Sequence, residues 1–344
     1  MRVFLLVSII MGSFLGAGFA SGKEVMTYFT FWGESSTLGI IIATITFFLG
    51  LSFFFWLSSR VDSMDKLFSE YFGRFNRVFR GLFSLCIFIL VATMFAGASS
   101  IADIIHINSL FIVLPTMLVV FLCNYFSLRG LEWFNAVLVP TMIVIMLLVY
   151  TGFDCHIGSL FSFGASVSAI NYVSINMMIL GMLILEVGRK CTRRERLITS
   201  IICSVGIGVL LFICNCGLRG VDLSLDMPML YLAGLKSNLI YTLACVAIWL
   251  ALLTSIFSNV FILDNYLSNV VRSRALRLIL IILGAYIFSL IGFDIMIAYM
   301  YSIIGVLGLV LIVWVIIKES RNNRFLSSKK EGRNNKYPTS YKRY

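Results

Sequence analysis

Hydrophobic positions in this chain are gathered into long uncharged runs, with charged residues confined to the stretches between them. A helix needs about 20 apolar residues to cross the hydrocarbon core of a bilayer. Ten runs approach or exceed that length: 3–22, 35–59, 81–102, 107–128, 133–153, 157–185, 197–218, 237–263, 278–293 and 295–317. They predict an all-α membrane protein with about ten transmembrane helices. The ninth run is short, and Arg277 at its edge can extend to the headgroups. Only Asp294 separates the ninth run from the tenth, but one helix of their combined length would far exceed the bilayer. The first run has no small-residue cleavage pattern and is expected to be retained. Residues 64–72 mix charge with apolar side chains, which predicts a short amphipathic helix at the membrane surface.

Charge sets the orientation. Of the 27 Lys and Arg residues, 24 fall in the even-numbered loops or at the two termini. Only Lys23, Arg219 and Lys236 fall on the other side. Cytoplasmic loops carry such an excess, so both termini are expected in the cytoplasm. The net charge of +11 then belongs to a surface facing anionic inner-leaflet lipid, and no nucleic-acid partner is expected. The chain is 60% hydrophobic and 12% charged, against about 45–50% and 25% in soluble domains. Residues 319–344 form a polar, basic tail expected to be disordered. The eight cysteines include no C-x-x-C pair and lie mostly in apolar runs. They are expected to act as small hydrophobes, with no metal centre or disulfide framework.

The first run ends in GAGFASGKE, residues 16–24. Each glycine inside a helix costs roughly 1 kcal/mol relative to alanine. Two readings explain the weakness. Gly12 with Gly16, and Gly18 with Gly22, fit small-x-x-x-small helix packing. Alternatively the helix breaks within 16–22 near the bilayer midplane and resumes over 23–33. A break would offer N–H groups to a carboxylate and freed carbonyls to a cation.

GAGFASGKE followed by VMTYFTFWG resembles the signature of the YkvI-like family of bacterial membrane proteins, relatives of the amino acid–polyamine–organocation transporters. INYVSINMMILGMLI, MPMLYLAG and MIAYMYSIIGVLGL are similar to later motifs of that family, and the likeness spans most of 1–318. It implies a LeuT-like fold of two inverted five-helix repeats, about 1–152 and 153–318, with discontinuous helices 1 and 6. Two positions depart from the family pattern. Lys23 replaces a frequent glutamine, and its ammonium could mimic an ion or pair with Glu24. Glu186 stands where proline is common and is expected to cap the cytoplasmic end of helix 6.

The resemblance also implies sites. In sodium-coupled LeuT-fold transporters an Ala-x-x-Thr-Ser group on helix 8 meets two carbonyls of helix 1. Here Ala251, Thr254 and Ser255 keep that spacing, which places them on one helix face, and Phe14 and Ala17 would supply the carbonyls. The other reading of Thr254 and Ser255 is hydroxyls bonded within their own helix. Substrate would lie between helices 1, 3, 6, 8 and 10. Its candidate contacts are Gly16, Gly18, Phe19, Ala20 and Ser21 at the break, Met94 and Gly97 on helix 3, Tyr172 and Asn176 on helix 6, and Tyr299 or Tyr301 on helix 10. Intramembrane acids are costly and usually functional. Glu24 is the only acid beside the break, so proton coupling stays open. Asp103, His106, Asp154, His156, Asp264 and Asp294 fall at helix ends or in loops.

No nucleotide-binding loop or catalytic constellation occurs, so an enzyme is not expected. The expected function is secondary active transport of a small organic solute, an amino acid or related zwitterion, across the bacterial cell (inner) membrane. No cofactor is expected beyond a coupled sodium ion, and the sequence names no protein partner. The alternatives are a ligand-sensing receptor subunit with little or no transport, and a structural subunit with a dead cavity.

Overall fold

A computed structural model describes residues 2–61, 64–126, 131–152, 157–158, 160–268 and 271–336. The first apolar run forms α1 (Arg2–Phe14) and a single turn, α2 (Ala17–Ser21); α3 (Lys23–Tyr28) continues it. Then follow α4 (Ser36–Leu57), α5 (Met64–Phe72), α6 (Asn76–Ile104), α7 (Leu110–Tyr125) and α8 (Leu131–Tyr150). The second half holds α9 (Phe163–Gly188), α10 (Arg193–Leu218), α11 (Pro228–Lys236), α12 (Asn238–Leu267), α13 (Arg274–Ser289), α14 (Phe293–Ile295) and α15 (Tyr301–Lys336), with a π-helical turn, Met296–Met300, joining the last two. All ten predicted spans fall on helices. Among the described residues six helices are long and apolar enough to cross a membrane, and three shorter apolar ones accompany them. α5 is the expected amphipathic helix. The division near Asp294 is a corner: α13 stops at Ser289, Gly292 has φ 105°, and Asp294 lies in the first turn of the next helix.

Three expectations are corrected. The sixth span is not discontinuous, because α9 runs unbroken for 26 residues. Its first glycine after Gly164 is Gly181, where a Cβ would overlap the Phe54 ring at 2.5 Å, and the Asn176 amide bonds back to the Tyr172 carbonyl at 2.9 Å. Its one side-chain amide facing the cavity is thus satisfied without unwinding. Glu186 lies in the last turn of that helix. The tail is helical as far as Lys336, and 337–344 lie outside the described residues, as do Asp154 and His156. Finally, Cys216 is disulfide-bonded rather than a simple hydrophobe, while Cys86, Cys123, Cys191, Cys203, Cys214 and Cys245 are free thiols.

The two halves pack by the same rules. α4 packs on α9 as α10 packs on α1, and α8 packs on α1 as α15 packs on α9. α7 meets α12 as α13 meets α6, while α4–α10 and α6–α12 pair equivalent helices across the halves. The surface helices α5 and α11 follow the second span of each half. Five spans is an odd number, so the second set enters the membrane from the opposite side. This is the expected five-plus-five inverted arrangement.

Close helix approach depends on small residues, as membrane packing does generally. A Cβ on Gly305 of α15 would lie 2.0 Å from the Asn171 side-chain oxygen and 2.8 Å from the Asn171 carbonyl of α9. Gly305→Ala is therefore expected to destabilise the protein by about 1–2 kcal/mol through overpacking. A thermal-unfolding scan in detergent would show it, with Gly81→Ala of α6 as the unhindered control, since nothing lies within 4 Å of that position and the change there should stabilise by up to about 1 kcal/mol.

Candidate substrate and ion site

The weak stretch of the first helix is interrupted at both of its ends. Leu15 makes the last α-type bond, to Met11 O at 2.8 Å, and the Gly16 N–H turns to Phe14 O at 2.7 Å. Gly16 is extended (φ −70°, ψ 176°) and Gly22 is left-handed (φ 83°, ψ −10°). Only glycine adopts that second conformation without strain, and a Cβ there would also lie 2.5 Å from the Tyr150 hydroxyl oxygen. The ladder is broken as the second sequence reading expected, although Ala17–Ser21 keeps one helical turn between the breaks.

A small, partly open cavity lies against this break. Gly16, Glu24, Asn176, Thr254, Ser255 and Tyr301 bring polar atoms to it, and Leu90, Met94, Ile175 and Ile179 form its apolar wall. A second, narrow cleft shares Leu90, Ile179 and Asn259 and extends towards Phe83, Met182 and Ile262. This is the end of α6, α9 and α12 where arginines cluster.

α12, the eighth span, presents its hydroxyls to the break. A Cβ on Gly16 would sit 3.5 Å from Ser255 Oγ. Thr254 Oγ1 donates to Ala251 O at 3.0 Å, and Phe14 O accepts the Gly16 N–H. Phe14, Thr254 and Ser255 line the cavity, Ala251 is buried beside it, and Ala17 opens the intervening turn. Of the substrate candidates, Gly16, Met94, Asn176 and Tyr301 line the cavity. Gly18 lies directly against the Glu24 carboxyl. Phe19, Ala20 and Ser21 are buried away from the cavity, with Ser21 Oγ committed to Gly18 O at 2.9 Å and to the Lys23 N–H at 3.2 Å. Gly97 packs on Leu252 and Phe293. Tyr172 sits behind the wall among Phe14, Tyr28, Phe29 and Phe47. Tyr299 is 66% exposed on the outer surface of the bundle. The sequence reading missed Ser258 and Asn259, which line the cavity one turn beyond Thr254 and Ser255. Their i+4 spacing was the available signal.

Lys23 does not pair with Glu24. Its ammonium turns to the opposite end of the bundle, 2.6 Å from Asp294 Oδ1, and donates to Leu223 O at 3.0 Å and Leu225 O at 2.9 Å. The loop that presents these carbonyls is held by the Ser224 N–H on Asp222 at 3.0 Å. Bonds from the Ser224 backbone and side chain also keep the Asp222 carboxyl below its usual pKa. Next to it, Ser100 Oγ donates to Asp226 at 3.0 Å. Lys23 thus ties α3, the α10–α11 loop and α14 into a clasp over the end of the cavity opposite the second cleft.

No family model matches the chain. A Bacillus subtilis (strain 168) protein described as uncharacterized, YyaD, is 23% identical over 328 residues, which cover 90% of this chain and 94% of that one. Among solved structures, a mutant of the Eremococcus coleocola manganese transporter is similar in fold. Its TM-score is 0.63 at 15% identity, covering 92% of this chain and 77% of that one.

Proposed function

We propose that the chain is a secondary transporter that carries a small organic solute by alternating access, with its cavity reached here from the cytoplasmic side. The observation that carries this reading is the doubly broken first helix, set against a cavity between two five-helix halves and closed by the Lys23 clasp at one end only. Interrupted helices at the midplane are where transporters of this kind bind solute and ion. The fold likeness to a manganese transporter supports transport in general. Manganese itself suits the cavity poorly: Glu24 is its only charged lining residue, and no group of three His, Cys, Asp or Glu residues comes together among the described residues. Amino acids and related zwitterions remain within the proposed solute class, and the YkvI-like motif supports the bacterial cell membrane as the setting. The arginine-rich ends of α6, α9 and α12 support cytoplasmic termini. Uptake of labelled solutes into proteoliposomes tests the reading. Ligand-induced thermal stabilisation without any flux would instead favour a sensing subunit.

Sodium coupling belongs to the same proposal. Two hydroxyls and nearby carbonyls at a helix break suit a monovalent ion that must also leave. Sodium is expected to raise the thermal-unfolding temperature relative to potassium at equal ionic strength. Thr254→Val with Ser255→Ala should remove the difference while the protein stays folded. Equal temperatures in the two salts for the natural chain would reduce the hydroxyl pair to packing.

A further inference from the structure

Glu24 is the one charged side chain on the cavity wall. It is 7% exposed and makes no ion pair among the described residues. Gly18 leaves room for it: a Cβ there would fall 2.0 Å from Glu24 Oε1. The cation next to it in sequence is committed elsewhere, on Asp294 and two carbonyls. The elements packed on α3 are α2, the Thr30–Ser35 turn, α9, α10 and the Met296–Met300 turn. The titratable groups these and the adjoining residues bring near it are Tyr172 of α9, Tyr301 of α15, Tyr28 of α3 itself and, beyond Tyr172, Cys214 of α10. None is basic. The Tyr172 hydroxyl is buried with Glu24 and Asn176 as its polar neighbours and makes no hydrogen bond of full geometry among the described residues.

A carboxylate buried without a counter-charge is costly, and it is relieved by taking up a proton or a cation. A second carboxylate, histidine or thiolate would be needed for a tightly held transition-metal dication. A zwitterion would have only backbone N–H groups of the break to receive its carboxylate, because no cationic side chain lines the cavity, so a ligand with a positive charge alone fits Glu24 better. The apolar wall of Leu90, Met94, Ile175 and Ile179 and the rings of Phe14 and Tyr301 suit an organic body, and the rings also favour cations. We infer that Glu24 binds the positively charged nitrogen of an organic monocation, an alkylammonium or guanidinium type of ligand, and exchanges it for a proton. On binding, the carboxyl proton leaves to water and the cation takes its place. On release the reverse occurs, so the net charge of Glu24 and its occupant together is conserved. This inference rests on the transporter reading for its purpose but not for its binding chemistry.

The test is a titration of the purified full-length protein with propylammonium, guanidinium and tetramethylammonium chlorides, with alanine and propionate as zwitterionic and anionic controls. Binding is followed by calorimetry and thermal unfolding at pH 6, 7 and 8. At least one cation should bind, more tightly than either control. If one proton is displaced per cation, apparent affinity should rise with pH by up to about tenfold per unit while Glu24 is protonated. Glu24→Gln should remove both binding and pH dependence, and Glu24→Asp should retain the pH dependence with weaker binding. Gly18→Ala, which displaces the carboxyl but keeps the acid, should also weaken binding and serves if Glu24→Gln does not fold. The inference is overturned if no cation binds, if alanine or propionate binds more tightly than every cation, or if the variants bind as the natural chain does. Proteoliposome flux separates the two readings. Glu24-dependent binding without flux refutes transport and keeps the site; flux unchanged in Glu24→Gln refutes the site and keeps transport.

Discussion

Lys23→Met is expected to release the closed end of the cavity and to speed labelling of a cavity cysteine from outside by about 5- to 30-fold. The methionine keeps the length of the side chain but deletes the ammonium that joins Asp294, Leu223 and Leu225. Hydrogen bonds to charged groups contribute about 1.5–3 kcal/mol each when shielded, but Asp294 is 54% exposed and exposed pairs contribute little. A net bias of about 1–2 kcal/mol towards the closed end is a fair discount, and it converts to the range above. The reporter is Met94→Cys on the cavity wall, in a background without other free thiols, probed by an impermeant reagent on right-side-out vesicles. Asp294→Asn, which keeps the two carbonyl bonds, should give a smaller increase. Unchanged labelling in both variants would mean that packing of α11 over the break, not the clasp, closes that end. Neither substitution touches the cavity lining, so ligand binding measured in detergent should change only through the balance of conformations.

Much of this architecture was legible in the sequence, because a bilayer allows so few solutions. The length of each uncharged run determined its element. The glycine stretch announced a break, but its details depended on packing: the left-handed turn falls at Gly22, where Tyr150 and Pro228 leave no room for a side chain. Lys23 and Asp294 are 271 residues apart, and no local pattern marks them as partners. The choice of Tyr301 over Tyr299 at the cavity followed from helix phase through a π-helical turn, which a regular 3.6-residue count does not anticipate. The continuity of α9 was missed for the converse reason. The family likeness suggested a break, whereas Asn176 closes its bond on its own helix and gives the backbone no cause to unwind.

Arg60→Met is expected to destabilise the protein more than Glu319→Leu does, although the two side chains form one ion pair. Glu319 is 8% exposed and Arg60 43%, so the partners do not share the cost of separation equally. Tyr71 donates its hydroxyl to Glu319 at 2.7 Å, and Arg60 lies over the Trp56 ring at 4.3 Å. Around them α5 is fastened to α15 by Trp314 Nε1 on Tyr71 O at 3.2 Å and by Lys318 on Tyr71 O at 2.7 Å. Without Arg60 a carboxylate stays buried with a single hydroxyl, and breaking such a pair is severe, at about 3–5 kcal/mol when both partners are buried. The partial exposure of Arg60 lowers this to about 2–3 kcal/mol. Without Glu319 the guanidinium can turn to water and keep its ring contact, at a cost of about 1 kcal/mol from the lost hydrogen bond to Tyr71. The double variant should therefore be more stable than Arg60→Met alone, because the second substitution removes the stranded charge. Unfolding in detergent of the two singles and the double closes a mutant cycle, and the coupling should be large and compensating. Additive losses would show that α5 is held by its apolar face, Leu67, Phe68 and Phe72, and that the ion pair is incidental. Compensation would identify the pair as the fastening between the surface helix after the second span and the last helix, on the side where the cavity opens.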